Sequence, residues 1–151
     1  MKKFCLSAIA LTALACAAFT KENFQAINAT AHPITEVCIE ENPSVKIPEM
    51  ISLIEDGFSR HGIQSKVYIT IPDSCDYFVK YTATQRWDFK PFLSDARIAV
   101  YNRGLLIGFA ERQGTRGVFG GGGMAPDKWA SAKTKVDPLM DRLLEGFRRV
   151  R

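Results

Sequence analysis

Residues 77–112 read YFVKYTATQRWDFKPFLSDARIAVYNRGLLIGFAER, and this stretch decides the fold. Ala96, Ile98 and Val100 on one side and Leu105, Ile107 and Phe109 on the other flank Tyr101-Asn102-Arg103-Gly104. A glycine closing a short polar link supplies the positive φ of a bulged hairpin, so the turn is expected at Asn102 to Gly104. Before it, Phe78, Lys80, Thr82 and Thr84 alternate with Tyr77, Val79 and Tyr81 in a run rich in aromatic and β-branched residues. That composition fits a pleated surface and predicts a central strand up to Trp87.

Working outward, Val37 and Ile39 alternate with Glu36, Cys38 and Glu40, which reads as a short strand over 35–40. Asn42-Pro43-Ser44 breaks the chain, and Met50, Ile51, Ile54 and Phe58 follow at helical spacing with Pro48 acceptable in the first turn. Gly62 is positioned to cap that helix in the left-handed conformation. A further strand is expected where Val67, Ile69 and Ile71 alternate with Lys66, Tyr68 and Thr70, up to Pro72. Beyond the hairpin, the glycine-rich segment 113–125 has the highest backbone entropy to lose and reads as a loop, with Trp129 packed under it. Val136, Leu139, Met140, Leu143, Leu144 and Phe147 form the apolar stripe of a last helix. It begins either at Asp137-Pro138 or near Ser131.

The resulting order is β-α-β-β-β-β-α over about 115 residues, enough for one hydrophobic core. The expected class is α+β: an antiparallel or mixed sheet of about five strands with two helices on one face.

At the N-terminus, Lys2 and Lys3 precede the apolar run from Phe4 to Leu14, which ends in small residues. The run is well short of the roughly 20 apolar residues a membrane span requires and reads as a secretory signal over residues 1–15. Thr12-Ala13-Leu14-Ala15-Cys16 resembles a bacterial lipobox with Ala13 where leucine is usual, which makes Cys16 the candidate lipidation site. Ala13-Leu14-Ala15 serves equally as an ordinary signal-peptidase site. Lipidated, the chain would be anchored to the outer membrane and face the periplasm; otherwise it is a soluble periplasmic protein. Residues 16–34 have no sustained period and are expected to be a flexible leader, with a single domain over 35–151.

Cys5 leaves with the signal and Cys16 lies at its end, so Cys38 and Cys75 are the pair left in the folded body. An oxidising compartment joins them in a disulfide. Closing a loop of 36 intervening residues contributes roughly 3 to 4 kcal/mol in the chain-entropy picture.

Asp76-Tyr77-Phe78-Val79-Lys80-Tyr81, Gln85-Arg86-Trp87-Asp88, Leu93-Ser94-Asp95-Ala96, Ile107-Gly108-Phe109-Ala110 and Lys133-Thr134-Lys135-Val136-Asp137-Pro138 together resemble a family of small Gram-negative envelope proteins. The resemblance spans roughly residues 75–147. It implies an exported α+β domain and carries over no catalytic residue. In layout the chain is also similar to sheet-and-helix lipoprotein domains that act as accessory factors in the cell envelope, an analogy of fold alone.

No reactive constellation is legible. His61 stands beside the Gly62 cap, and no serine is singled out as its partner. Cys38, Cys75 and His61 lack short zinc-ligand spacing, so no metal is expected, nor any cofactor. Asp73 with Asp76, or Asp88 with Asp95, would be the carboxylates of a small periplasmic hydrolase, but aspartates near strand ends are commonly turn residues. Arg86, Trp87, Phe89 and Phe92 fall on a link between two strands. Such rings either fold into the edge of the core or meet a partner, and they are the candidate partner-binding residues. Residues 35–76 hold 3 basic and 8 acidic side chains, and 112–151 hold 9 basic and 4 acidic. The basic segment is a candidate surface for an anionic envelope component, with no nucleic-acid motif present. The sequence therefore favours a non-enzymatic binding or accessory module of the envelope, with the hydrolase as the alternative.

Overall fold

The computed structural model describes residues 21–114 and 127–148. In chain order the elements are β1 (Lys21–Gln25), β2 (Glu36–Glu40), α1 (Met50–Arg60), β3 (Gln64–Tyr68), β4 (Tyr77–Asp88), β5 (Lys90–Asn102), β6 (Leu105–Gln113) and α2 (Ala132–Leu143). The strands form one mixed sheet of six, ordered β1-β6-β5-β4-β2-β3. β2 runs parallel to both β3 and β4, and the remaining pairs are antiparallel. The α+β class holds, and β4 is interior as its composition requires.

The turn between β5 and β6 sits at Arg103 (φ 48°) and Gly104 (φ 87°). The Arg103 guanidinium at this turn bonds Asp76 at 2.8 and 3.0 Å. For α2, the earlier start is the real one: Ser131 is the N-cap and its Oγ accepts from the Thr134 amide at 3.2 Å, leaving Pro138 inside the helix. β3 is shorter than its sequence period, because pairing with β2 ends at Tyr68 opposite Glu40. Ile69, just beyond, is 83% exposed.

One face of the sheet is buried. Val37, Ile39, Val79, Tyr81, Ile98 and Val100 meet Met50, Ile54 and Phe58 of α1 and Val136, Leu139, Met140 and Leu143 of α2 in one cluster. His61, expected only as a cap ring, lies inside this layer and pairs with Asp141 of α2 at 3.2 Å. Cys38 and Cys75 form a disulfide, with Cα atoms 6.4 Å apart.

The sixth strand lies where a flexible leader was expected. Lys21–Gln25 pairs with β6, Ile27 is buried with its amide bonded to the Leu143 carbonyl at 3.0 Å, and Ile34 is buried in the core. Asn28 then accepts from the amides of Thr30 and Ala31, turning the chain. At the sheet edge the side chains of Lys21–Gln25 stay largely exposed, so this polar run shows no apolar period while its main chain pairs with β6. Cys16 and the glycine run lie outside the described residues.

Gly108 permits this docking: a Cβ there would lie 2.5 Å from Ile27 Cγ1 and 2.9 Å from the Gln25 carbonyl. Gly108→Ala should therefore cost about 1 to 3 kcal/mol. Hydrogen exchange should show the loss first at the amides of β1. Unchanged protection there would mean that β1 does not depend on this contact.

Candidate interaction site

The stretch expected to link two strands is itself strand. β4 and β5 stay paired through Arg86 with Phe92, Trp87 with Pro91 and Asp88 with Lys90, after a register shift between Thr84 and Gln85. Phe89 alone turns the chain, at φ 56°. A phenylalanine in the left-handed region is strained, and strain of this kind is found where a side chain must be presented. Phe89 is 91% and Trp87 74% exposed. The other two candidates turn inward: Phe92 is half-buried, and half-buried Arg86 reaches toward Asp95 at 3.8 Å.

The root of this hairpin is fixed from the other side of the chain. Lys128 forms an ion pair with Asp88, and the Trp129 indole donates to the Asp88 carbonyl at 3.0 Å. Lys135, on the first turns of α2, donates to the carbonyls of Leu93 (2.8 Å) and Lys128 (2.6 Å). Both ammonium groups lie over the Phe92 ring, at 5.4 and 5.6 Å from its centroid, in cation–π geometry. Burial, and secondly the charge of Arg112, push the Lys135 pKa below its ordinary value. Nothing in the sequence marked Lys128 or Lys135, because a lysine's partners are set only when distant carbonyls converge on it.

Three of the carboxylates considered for hydrolysis, Asp76, Asp88 and Asp95, hold structural partners, and Asp73 is exposed. Asp88 holds Lys128, and Asp95 accepts from Ser94 Oγ and from the Gly114 amide while facing Arg86. Asp76 is gripped by Arg103, whose hydrogen bonds hold its pKa below the usual carboxylate range. On β6, Glu111 is likewise lowered, chiefly by its bond from Arg97 at 2.6 Å. No group of His, Cys, Asp and Glu among the described residues is arranged to hold a metal ion. No helix among them is long and apolar enough to cross a membrane.

The uneven charge of the sequence maps onto the sheet. The acidic segment supplies β2, α1 and β3 at one end, and the basic segment supplies the end of β6 and α2 at the other. Part of the basic surplus is internal, since Arg112, Lys128 and Lys135 are buried, while Arg142 and Arg148 remain exposed.

No protein-family model and no curated protein matches the chain. Among solved structures it is similar to PelC from Paraburkholderia phytofirmans, in two structures described as dodecamers, one of them of a variant with a single Leu-to-Met substitution. Both have a TM-score of 0.54, at 11% and 10% identity, over 88% of this chain and 100% of the PelC chain. At that identity the likeness establishes a shared fold.

The desolvated ammonium of Lys135 sets a pH dependence. With its folded pKa below 10.5, the unfolded chain binds more protons between the two values, so its contribution to stability rises with pH across that window. Urea unfolding from neutral pH to about pH 10.5 should show a shallower rise for Lys135→Met than for the parent. Equal slopes would mean that the buried ammonium carries no penalty.

Proposed function

We propose that this is an exported, non-enzymatic binding module of the cell envelope that engages another envelope component, most simply a protein, through Trp87 and Phe89. One observation carries the reading. Two large rings stand in solvent on a hairpin whose root is held by Lys128, Trp129 and Lys135, so they are presented without the entropy cost of ordering a loose loop. Aromatic anchors of this kind dominate interfaces. The signal-like N-terminus, the disulfide and the fold shared with PelC support an envelope location. Both PelC neighbours are dodecamers, and we carry self-association over to this chain as part of the same reading.

The combined Trp87→Ala and Phe89→Ala variant tests the knob. Photo-crosslinking from residue 90 in intact cells should capture a specific envelope component with the parent and lose it with the variant, while the melting temperature stays nearly unchanged. A loss of roughly 3 to 5 kcal/mol, as for buried aromatics cut to alanine, would show instead that the rings are core and remove the proposed surface.

We further propose cleavage before Cys16 with lipid attached there, placing the domain at the outer membrane on its periplasmic side. One acyl chain binds membranes only marginally, whereas the several chains of a bacterial lipoprotein anchor firmly. Intact-mass spectrometry of the exported protein should show a lipidated Cys16. An unmodified chain starting at or after Cys16 overturns lipidation and leaves the knob to be judged on its own.

A further inference from the structure

The sheet ends on two strands that have no outer neighbour among the described residues, β1 on one side and β3 on the other. Each presents a row of main-chain donors and acceptors, the usual template for adding a strand. They are matched in length at 5 residues each. They also match in what lies on the helix side. Phe24 stands opposite Ala110 and Val67 opposite Ile39, so both side chains share the buried face, yet both are partly exposed because the sheet stops there.

The flanking helices differ in sign. Beside β1, Arg142 of α2 lies 4.9 Å from the Phe24 ring and is about half exposed. Glu22 on that flank is turned onto Arg112 and Arg142. Beside β3, Glu55 and Asp56 of α1 line a shallow recess with Gln64 and Ser65. Lys66, the cation of that edge, is tied to Glu36 at 2.9 Å.

We propose that a second copy of this chain extends the sheet, the β1 edge of one molecule pairing with the β3 edge of the next. This rests on the self-association argued above and assigns its interface. Continuing the sheet brings Phe24 against Val67 of the neighbouring copy and sets α2 beside its α1, with Arg142 facing Glu55 and Asp56. Like elements are not paired with like, so the contact is heterologous: a pair of copies keeps one free β1 edge and one free β3 edge, and the assembly closes into a ring or grows. The knob formed by Trp87 and Phe89 lies at the end of an interior hairpin and takes no part.

Sedimentation velocity on the full protein at low salt should show a concentration-dependent oligomer that weakens as salt rises, since exposed charge pairs are screened beyond about 8 to 10 Å at physiological ionic strength. Arg142→Glu and Asp56→Lys should each weaken association by about tenfold or more, and the double variant should recover it, because the swapped charges again meet as opposites. Amides of β3 should gain hydrogen-exchange protection in the oligomer. Should Arg142→Glu disturb the fold through Glu22, as a lowered melting temperature would reveal, Asp56→Lys with Glu55→Lys on the other flank carries the test. A parent protein that stays monomeric at all concentrations overturns both self-association and this interface. An oligomer indifferent to the flank substitutions, with β3 unprotected, overturns the interface and leaves self-association standing.

Discussion

The seam between β2 and β4 is the joint on which the architecture depends. To one side lies β2-α1-β3, to the other the antiparallel meander β4-β5-β6 with α2 and β1. Within the sheet the two halves share only a short parallel pairing, Cys38 beside Phe78 and Ile39 beside Val79, while Arg60 and His61 at the end of α1 reach Asp141 of α2. Parallel pairing is also slightly weaker per residue than antiparallel. Two things hold the seam. The Cys38–Cys75 disulfide ties the middle of β2 to the segment entering β4, and the Tyr81 hydroxyl accepts from the Asn42 amide while the Asn42 side chain donates to the Tyr81 carbonyl. Beneath it, Ile39 and Val79 are fully buried by the same helical layer, so opening the seam would expose the centre of the core.

The candidate binding residues sit at the margin of this centre. The β4–β5 hairpin is held by its own strand pairing and, at its root, by Lys128, Trp129 and Lys135, which grip Asp88 and Leu93. Buried lysines are costly to desolvate, and these are retained where main-chain carbonyls compensate Lys135, the Asp88 carboxylate compensates Lys128, and the Phe92 ring faces both. The cost is incurred at the base of the exposed rings, which couples the stability of the domain to the placement of its candidate binding residues. The open face of the sheet is knit by cross-strand pairs, including stacked Phe78 and Tyr101 and Arg97 over Phe109. These pairs use the side chains of a solvated face to stiffen the sheet.

Local periodicity was enough for most of the elements. Period-2 alternation identified β2, β4, β5 and β6, the glycine fixed the β5–β6 turn, and the apolar stripes located both helices, since each of these signals depends on neighbours within a few residues. The same locality explains the errors. β1 is polar because its side chains at the sheet edge stay largely exposed, and the 86–92 stretch looked like a link because Phe89 turns the chain in a single residue that is not glycine.

By itself the sequence determined the α+β class, the pairing of Cys38 with Cys75 and the aromatic stretch worth testing, because composition and spacing are properties of the chain. Tertiary structure alone decided which of Arg86, Trp87, Phe89 and Phe92 face solvent, and that Arg112, Lys128 and Lys135 are internal. It also decided that residues 21–34 belong to the domain and that opposite charge gathers at opposite ends of one sheet. Exposure and pairing depend on what arrives from distant parts of the chain: Phe92 is covered because Lys128 and Lys135 are brought over it, and Trp87 stays bare because among the described residues nothing covers it.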